Sequence, residues 1–268
     1  MTIHEYGKEN SITVVLIHPS LVMWDYFEYV IPLLKNDYHL IIPALPGYDE
    51  EKDSDFTGVE DISGKLADWL DANGIDFVNC IYGCSMGGSV VIRFLADGRI
   101  RTGSAVIDGG ITPYQLPWIL TRLIAVRDFL MVYIGKLGGI KLLQKAFTSD
   151  EYSDEDLKYM EKVLEHMSAK TIWRTFESCN NYAMPETISA HGARVAYWYA
   201  KTEEKERRWD IRYVKKNFPE TEFRTFSETG HGGLAVLKPE LFASEISAAV
   251  ERGTEELRSI MDISLERR

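Results

Sequence analysis

Three cysteines in 268 residues are too few for a disulfide framework. Cys80 and Cys84 lie four apart, but no His/Cys pair stands ready to complete a zinc site. The chain is therefore read as cytoplasmic, with reduced thiols and no structural metal. Its first residues, MTIHEYGKENSITVV, lack the basic flank, apolar block and small-residue cleavage site of a secretory signal. No run reaches the roughly 18 uninterrupted apolar residues of a membrane helix. The most apolar region, LPWILTRLIAVRDFLMVYIGKL, is broken by Arg122, Arg127 and Asp128. A Lys/Arg-rich run is missing too, and the formal net charge of −11 would repel a phosphate backbone. Nucleic acid and membrane are thus disfavoured as partners. Internal repeats, low-complexity tracts and Pro-rich linkers are lacking as well.

What is present suits a soluble globular protein: 45% hydrophobic and 26% charged residues can build a sizeable core. Strand candidates are Ile12–Ile17, Tyr38–Pro43, Phe77–Tyr82, Ser104–Asp108, Arg194–Tyr199 and Glu222–Ser227. Most are nearly continuous apolar runs, as expected when helices cover both faces of a parallel sheet. The last alternates polar and apolar residues and is expected near an edge; TIHEY has room to be one early antiparallel partner. Helical patterns separate them: VEDISGKLADWLDANG closing at Gly74, MGGSVVIRFLADG closing at Gly98, DIRYVKKNFP, and KPELFASEISAAVERG opening at Pro239. The tail after Gly253 is read either as a short extra helix or as frayed.

Residues 111–190 break this alternation. A segment that long is not a structureless loop in a compact domain. Its helical patterns are LPWILTRLIAVRDFLMVYIGKL, GIKLLQKAF, SDEDLKYMEKVLEHMS, where Ser153 and Asp156 suggest a capping box, and AKTIWRTFESCNNYA. The expected architecture is an α/β fold with a mostly parallel, doubly wound sheet. Residues 1–110 and 191–268 form its core, and 111–190 form an inserted helical cap or lid.

One stretch inside this frame carries chemistry. Gly83-Cys84-Ser85-Met86-Gly87 fits G-x-S-x-G and sits between a predicted strand and a predicted helix. A plain Gly/Ser turn would satisfy composition; this placement instead presents Ser85 as a nucleophile. The first helical N–H groups, that of Met86 among them, lie beside it as oxyanion donors. A serine needs a base. Of six histidines, His231 stands in a glycine-rich loop after the last strand, where open α/β sheets place their sites. His18 is read as fixing a loop, and Cys84 as a small buried residue.

The chain resembles the α/β-hydrolase family over nearly its whole length. YGCSMGGSV looks like that family's nucleophile turn. LIHPSLVMWDYFEYVIPLLKNDYHLIIPALPGY resembles its His-Gly oxyanion segment, and GHGGLAVLKPELF its histidine loop. The resemblance implies Ser85, His231 and an acid as the triad. Pro19 replaces the family's glycine and has no N–H, so the second oxyanion donor is expected from Ser20, with Leu21 as the alternative. Aligning YAKTEEKE with the family's Gly-x-x-Asp puts Glu203 at the acid position; Asp108, Glu204 and Asp210 stay open as alternatives.

The function expected is cleavage of a small-molecule ester with small or medium groups, through an acyl-enzyme and without a cofactor. Thioesterase, aminopeptidase and C–C bond hydrolase chemistry would use the same residues. A serine nucleophile argues against alkyl-halide or epoxide displacement. A non-catalytic or weakly catalytic small-molecule binding protein of the same fold is the competing class. Tyr114, Trp118, Phe129, Tyr133, Phe147, Trp173, Phe176 and Tyr182 of the insertion could line a pocket or simply pack its helices. Nothing in the residue pattern sets an oligomeric state.

Overall fold

Runs of β-branched and aromatic residues build the sheet. Its strands are β1 (Thr2–Tyr6), β2 (Thr13–Ile17), β3 (His39–Ala44), β4 (Phe77–Cys84), β5 (Arg101–Asp108), β6 (Arg194–Ala200) and β7 (Glu222–Phe226). The computed structural model describes residues 1–114, 116–146 and 153–266, so Phe147 lies outside the described residues. Strand order is β1-β3-β2-β4-β5-β6-β7. Only β1 pairs antiparallel, with Thr2 opposite Ala44; the other pairs are parallel. The alternating strand, β7, is an edge as its pattern predicts.

Helices α1 (Ile31–Leu34), α2 (Val59–Ala72), α3 (Met86–Asp97), α4 (Trp118–Ala146), α5 (Asp154–His166), α6 (Ala169–Asn181), α7 (Arg208–Asn217), α8 (Leu234–Leu237) and α9 (Pro239–Glu266) complete the fold. Successive strand residues face opposite ways, so the sheet buries two cores. Val15, Ile17, Ile41 and Ile81 join Ile62 and Leu66 of α2 and Val90 of α3 on one side. Val14, Leu16, Leu40 and Tyr82 meet Phe242 and Ile246 of α9 on the other. Among the described residues no helix is long and apolar enough to cross a membrane.

A glycine separates expectation from structure at the C-terminal end. Gly253 does not end its helix: α9 continues to Glu266, so the tail extends that helix. A Cβ on Gly253 would lie 2.7 Å from the Gly103 carbonyl carbon, so the glycine serves close approach of α9 to β5. Within Trp118–Ala146 the backbone leaves the helical path at Gly139, with φ 58° and ψ −161°, so α4 consists of two helical segments meeting at a kink, where the sequence expects two helices. The freed N–H of Ile140 donates to Glu161 Oε1 at 2.7 Å. Helices α4, α5 and α6 all fall between β5 and β6, and the Ser153–Asp156 capping box is present at α5.

Candidate active site

β4 runs straight into α3, and Ser85 is the residue at the turn. Its backbone is at φ 51°, ψ −111°, a conformation costing about 1–3 kcal/mol unless neighbours impose it. They do so here. Ser85 N–H donates to Asp108 O at the end of β5 at 2.8 Å, and Ser85 O accepts from Ser89 N–H at 3.1 Å. Both motif glycines are required by close approach. A Cβ on Gly83 would stand 2.2 Å from Gly87 O, and one on Gly87 would stand 2.4 Å from Ile17 O.

Met86 opens α3, so its N–H has no carbonyl one turn earlier to bond. That N–H carries the partial positive charge of a helix N-terminus. The passage of Gly87 over Ile17 and His18 sets the elbow against the end of β2, which continues into Pro19, Ser20 and Leu21. Leu21 is held at φ 66°. Among the described residues, the Ser20 N–H has no hydrogen-bond acceptor. His18 beneath is fully buried. Its Nδ1 faces Pro19 O at 2.8 Å, and Leu45 N–H donates to its Nε2 at 3.5 Å. Burial drives its pKa down to about 4. A neutral imidazole with both nitrogens engaged fixes this loop, as its sequence position suggests.

At the neighbouring strand ends stand a histidine and a carboxylate. Glu203 closes a short 3-10 turn directly after β6, and His231 lies in the loop between β7 and α8. His231 Nδ1 is 2.6 Å from Glu203 Oε1, with side chains 39% and 7% exposed. The same oxygen accepts from Arg207 Nε at 3.1 Å, and Ala200 N–H donates to Glu203 Oε2 at 3.2 Å. Burial would raise the Glu203 pKa. The hydrogen bond from His231, with the charges of His231 and Arg207, outweighs it and holds the carboxyl below its ordinary value. The pair sits over Gly109, where a Cβ would lie 2.9 Å from His231 Cε1. Gly109 follows Asp108, whose carbonyl anchors Ser85. Four strand ends and the loop after β7 thus converge on one rim.

Ser85 is 6% exposed at that rim, and no hydrogen bond joins its hydroxyl to His231 among the described residues. The other candidate acids differ in their surroundings. Asp108 Oδ2 accepts from Tyr82 OH at 2.7 Å, and burial raises the carboxyl's pKa. Asp210 Oδ1 accepts from Thr112 N–H and Oγ1, both at 2.8 Å. Glu204 is exposed. Cys80, Cys84 and Cys179 are all unpaired and buried, and burial pushes each thiol's pKa up. Among the described residues no cluster of three His, Cys, Asp or Glu side chains could hold a metal ion.

Three supporting residues escape sequence reasoning. Tyr26 OH donates to Gly232 O, next to His231, at 2.6 Å. Tyr82 holds Asp108, and Arg207 bridges Glu203 to Asp210. Only Arg207, four residues from Glu203, leaves a local signal.

Known proteins share this fold. The model of the "Alpha/beta hydrolase family" matches residues 14–245. A solved carboxylesterase of the ammonia-oxidizing thaumarchaeon Nitrososphaera gargenis is similar, at 19% identity and a TM-score of 0.75, covering 95% of each chain. MenH from S. aureus is 18% identical, with a TM-score of 0.74 over 94% of this chain and 98% of that one. An esterase from Exiguobacterium antarcticum is 16% identical, with a TM-score of 0.72 over 93% and 94%. At such identities these structures establish the fold alone. Because the family model spans most of the sequence, the chain belongs to the α/β-hydrolase family.

Proposed function

We propose that the protein is a serine hydrolase cleaving carboxylic esters with small or medium groups, with Ser85, His231 and Glu203 as its triad. One observation carries the reading. The His231–Glu203 pair stands over Gly109, one residue beyond the carbonyl that holds the positive-φ Ser85.

The roles follow from which atoms are engaged. Nδ1 of His231 carries the proton given to Glu203, so Nε2 keeps the lone pair and acts as base. As Ser85 Oγ bonds to the ester carbonyl carbon, its proton passes to Nε2. The carbonyl electrons move onto oxygen, where the N–H groups of Met86 and Ser20 receive them. Losing one such donor typically costs about 2.7–4 kcal/mol of transition-state stabilisation. Collapse expels the alkoxide, which takes the proton from Nε2. Water attacks the acyl-enzyme by the same route and frees the acid and Ser85. Glu203, ionised and buried, balances the imidazolium in both steps. Residues 111–190 serve as the cap over this rim. The Ser85–His231 contact closes in the substrate complex, as catalytic hydrogen bonds are commonly long without substrate.

A fluorophosphonate probe with mass spectrometry of the adduct tests the reading, followed by p-nitrophenyl esters of graded chain length. Labelling is expected at Ser85 and lost in Ser85→Ala and His231→Ala. Folded protein that takes up no probe would instead support small-molecule binding without turnover. That reading draws on Pro19 and on the missing Ser85–His231 hydrogen bond. Thioester and aminoacyl substrates in the same panel separate the other acyl-transfer activities.

A further inference from the structure

The insertion carries a surface that the catalytic reading does not use. On α4, Ile119, Leu123, Val126, Leu130, Ile134 and Leu137 recur at steps of three and four and so line one face. Thr121, Ala125 and Val132 on the opposite face are buried, and α4 packs on α5 and α6. The six stripe residues are 41–70% exposed. With flanking Trp118, Leu120 and Met131 they present apolar surface on the order of 900 Å². The largest patch on a typical monomer is about 300–600 Å². One side of a stable interface is about 800 Å².

Charge narrows the occupant. Arg122 pairs with Glu177 and Arg127 with Asp128, while Lys136 Nζ donates to Leu164 O and Glu165 O at the end of α5. Every cation within the stripe's span is thus engaged, and a chain of net charge −11 is repelled by an anionic bilayer. A neutral apolar helix face suits another such face.

We infer that α4 packs against α4 of a second copy, antiparallel about a two-fold axis near Asp128. That register sets Ile119 against Leu137, Leu123 against Ile134 and Val126 against Leu130, so the stripe complements itself. It also opposes the two helix dipoles.

Sedimentation velocity at micromolar protein tests this. The wild type is expected at twice the mass of one chain. Leu123→Glu with Leu130→Glu is expected at the mass of one chain, with unchanged far-UV circular dichroism and Ser85 labelling. Should that variant fail to fold, Val126→Cys with Leu130→Cys is expected to form a covalent dimer on mild oxidation. A wild-type monomer, a dimer that survives both glutamates, or cysteines that do not cross-link would overturn the inference. A monomer that floats with phosphatidylglycerol vesicles would overturn it in favour of lipid.

Discussion

His231 Nδ1 and Glu203 Oε1 lie 2.6 Å apart, although the residues are separated by a helix and a strand. Asp108 is also near the imidazole, but its carboxyl is bound by Tyr82. The two acids therefore predict opposite outcomes. Glu203→Gln keeps the shape but cannot balance an imidazolium, and kcat for ester cleavage is expected to fall about 10³–10⁴-fold. Asn at position 108 can still accept from Tyr82, so Asp108→Asn is expected to stay within about tenfold of wild type. Steady-state kinetics on a p-nitrophenyl ester read both. The reverse ranking would move the acid to β5.

Tyr26 reaches the histidine loop from the segment after β2. Its hydroxyl holds Gly232 O, while Tyr159 of α5 accepts from Met23 N–H at 3.0 Å and donates to Asp25. Tyr26→Phe leaves that carbonyl without its partner, a loss of about 0.5–1.5 kcal/mol. Because Gly232 adjoins the base and not the substrate, the expected effect is on kcat, at most about tenfold, with KM little changed. A change confined to KM would contradict the positioning role.

Much of this was legible in the sequence for a physical reason. Gly83 and Gly87 are fixed by backbone approach, and Ser85 by what can sit between them, so the elbow is written in consecutive residues. His231 is legible from its glycine-rich loop after the last strand, whereas Glu203 is reached through the resemblance of YAKTEEKE to the family's Gly-x-x-Asp. Tyr26–Gly232 and Tyr82–Asp108 were not legible, because each joins distant residues through one hydroxyl with no local pattern around it. Gly253 misled for a related reason. A glycine in a helical pattern reads as an end, whereas here it admits a neighbouring strand; at Gly139 the same signal does mark a break in the helix.

Gly109 offers a test of how tightly the base is held. It sits at φ 55°, and a Cβ there would meet His231 Cε1 at 2.9 Å and Nδ1 at 3.0 Å. Gly109→Ala is expected to displace the ring and lower kcat about 10–100-fold, since a misplacement near 1 Å can cost that much. Gly74→Ala separates this from backbone strain. Gly74 has φ 72° with nothing within 4 Å of its Cβ position, so it should lose about 1–2 kcal/mol of stability and no activity. Equal kcat losses in the two variants would sink the steric account.

The stability of the fold should carry the signature of His18. Its pKa is lowered from 6.5 to about 4 by full burial, so above pH 6.5 it is neutral in both states and its contribution is complete. Between pH 6.5 and 4 the unfolded chain takes up a proton that the folded chain refuses, and stability falls by up to about 3 kcal/mol. The lowered carboxyl of Glu203 adds loss only below the ordinary glutamate value of 4.5, while the raised carboxyls of Asp108 and Asp210 take up protons in the folded chain and oppose the decline, so the difference between wild type and His18→Asn reads the histidine. Urea midpoints measured from pH 7.5 downward should decline through this range in wild type. His18→Asn, less stable at neutral pH because the Pro19 and Leu45 contacts are disturbed, should have a flatter profile there. Parallel profiles of wild type and His18→Asn from pH 6.5 to 4.5 would mean the buried imidazole accepts its proton as readily as a free one, and the loop carrying Ser20 would need a different anchor.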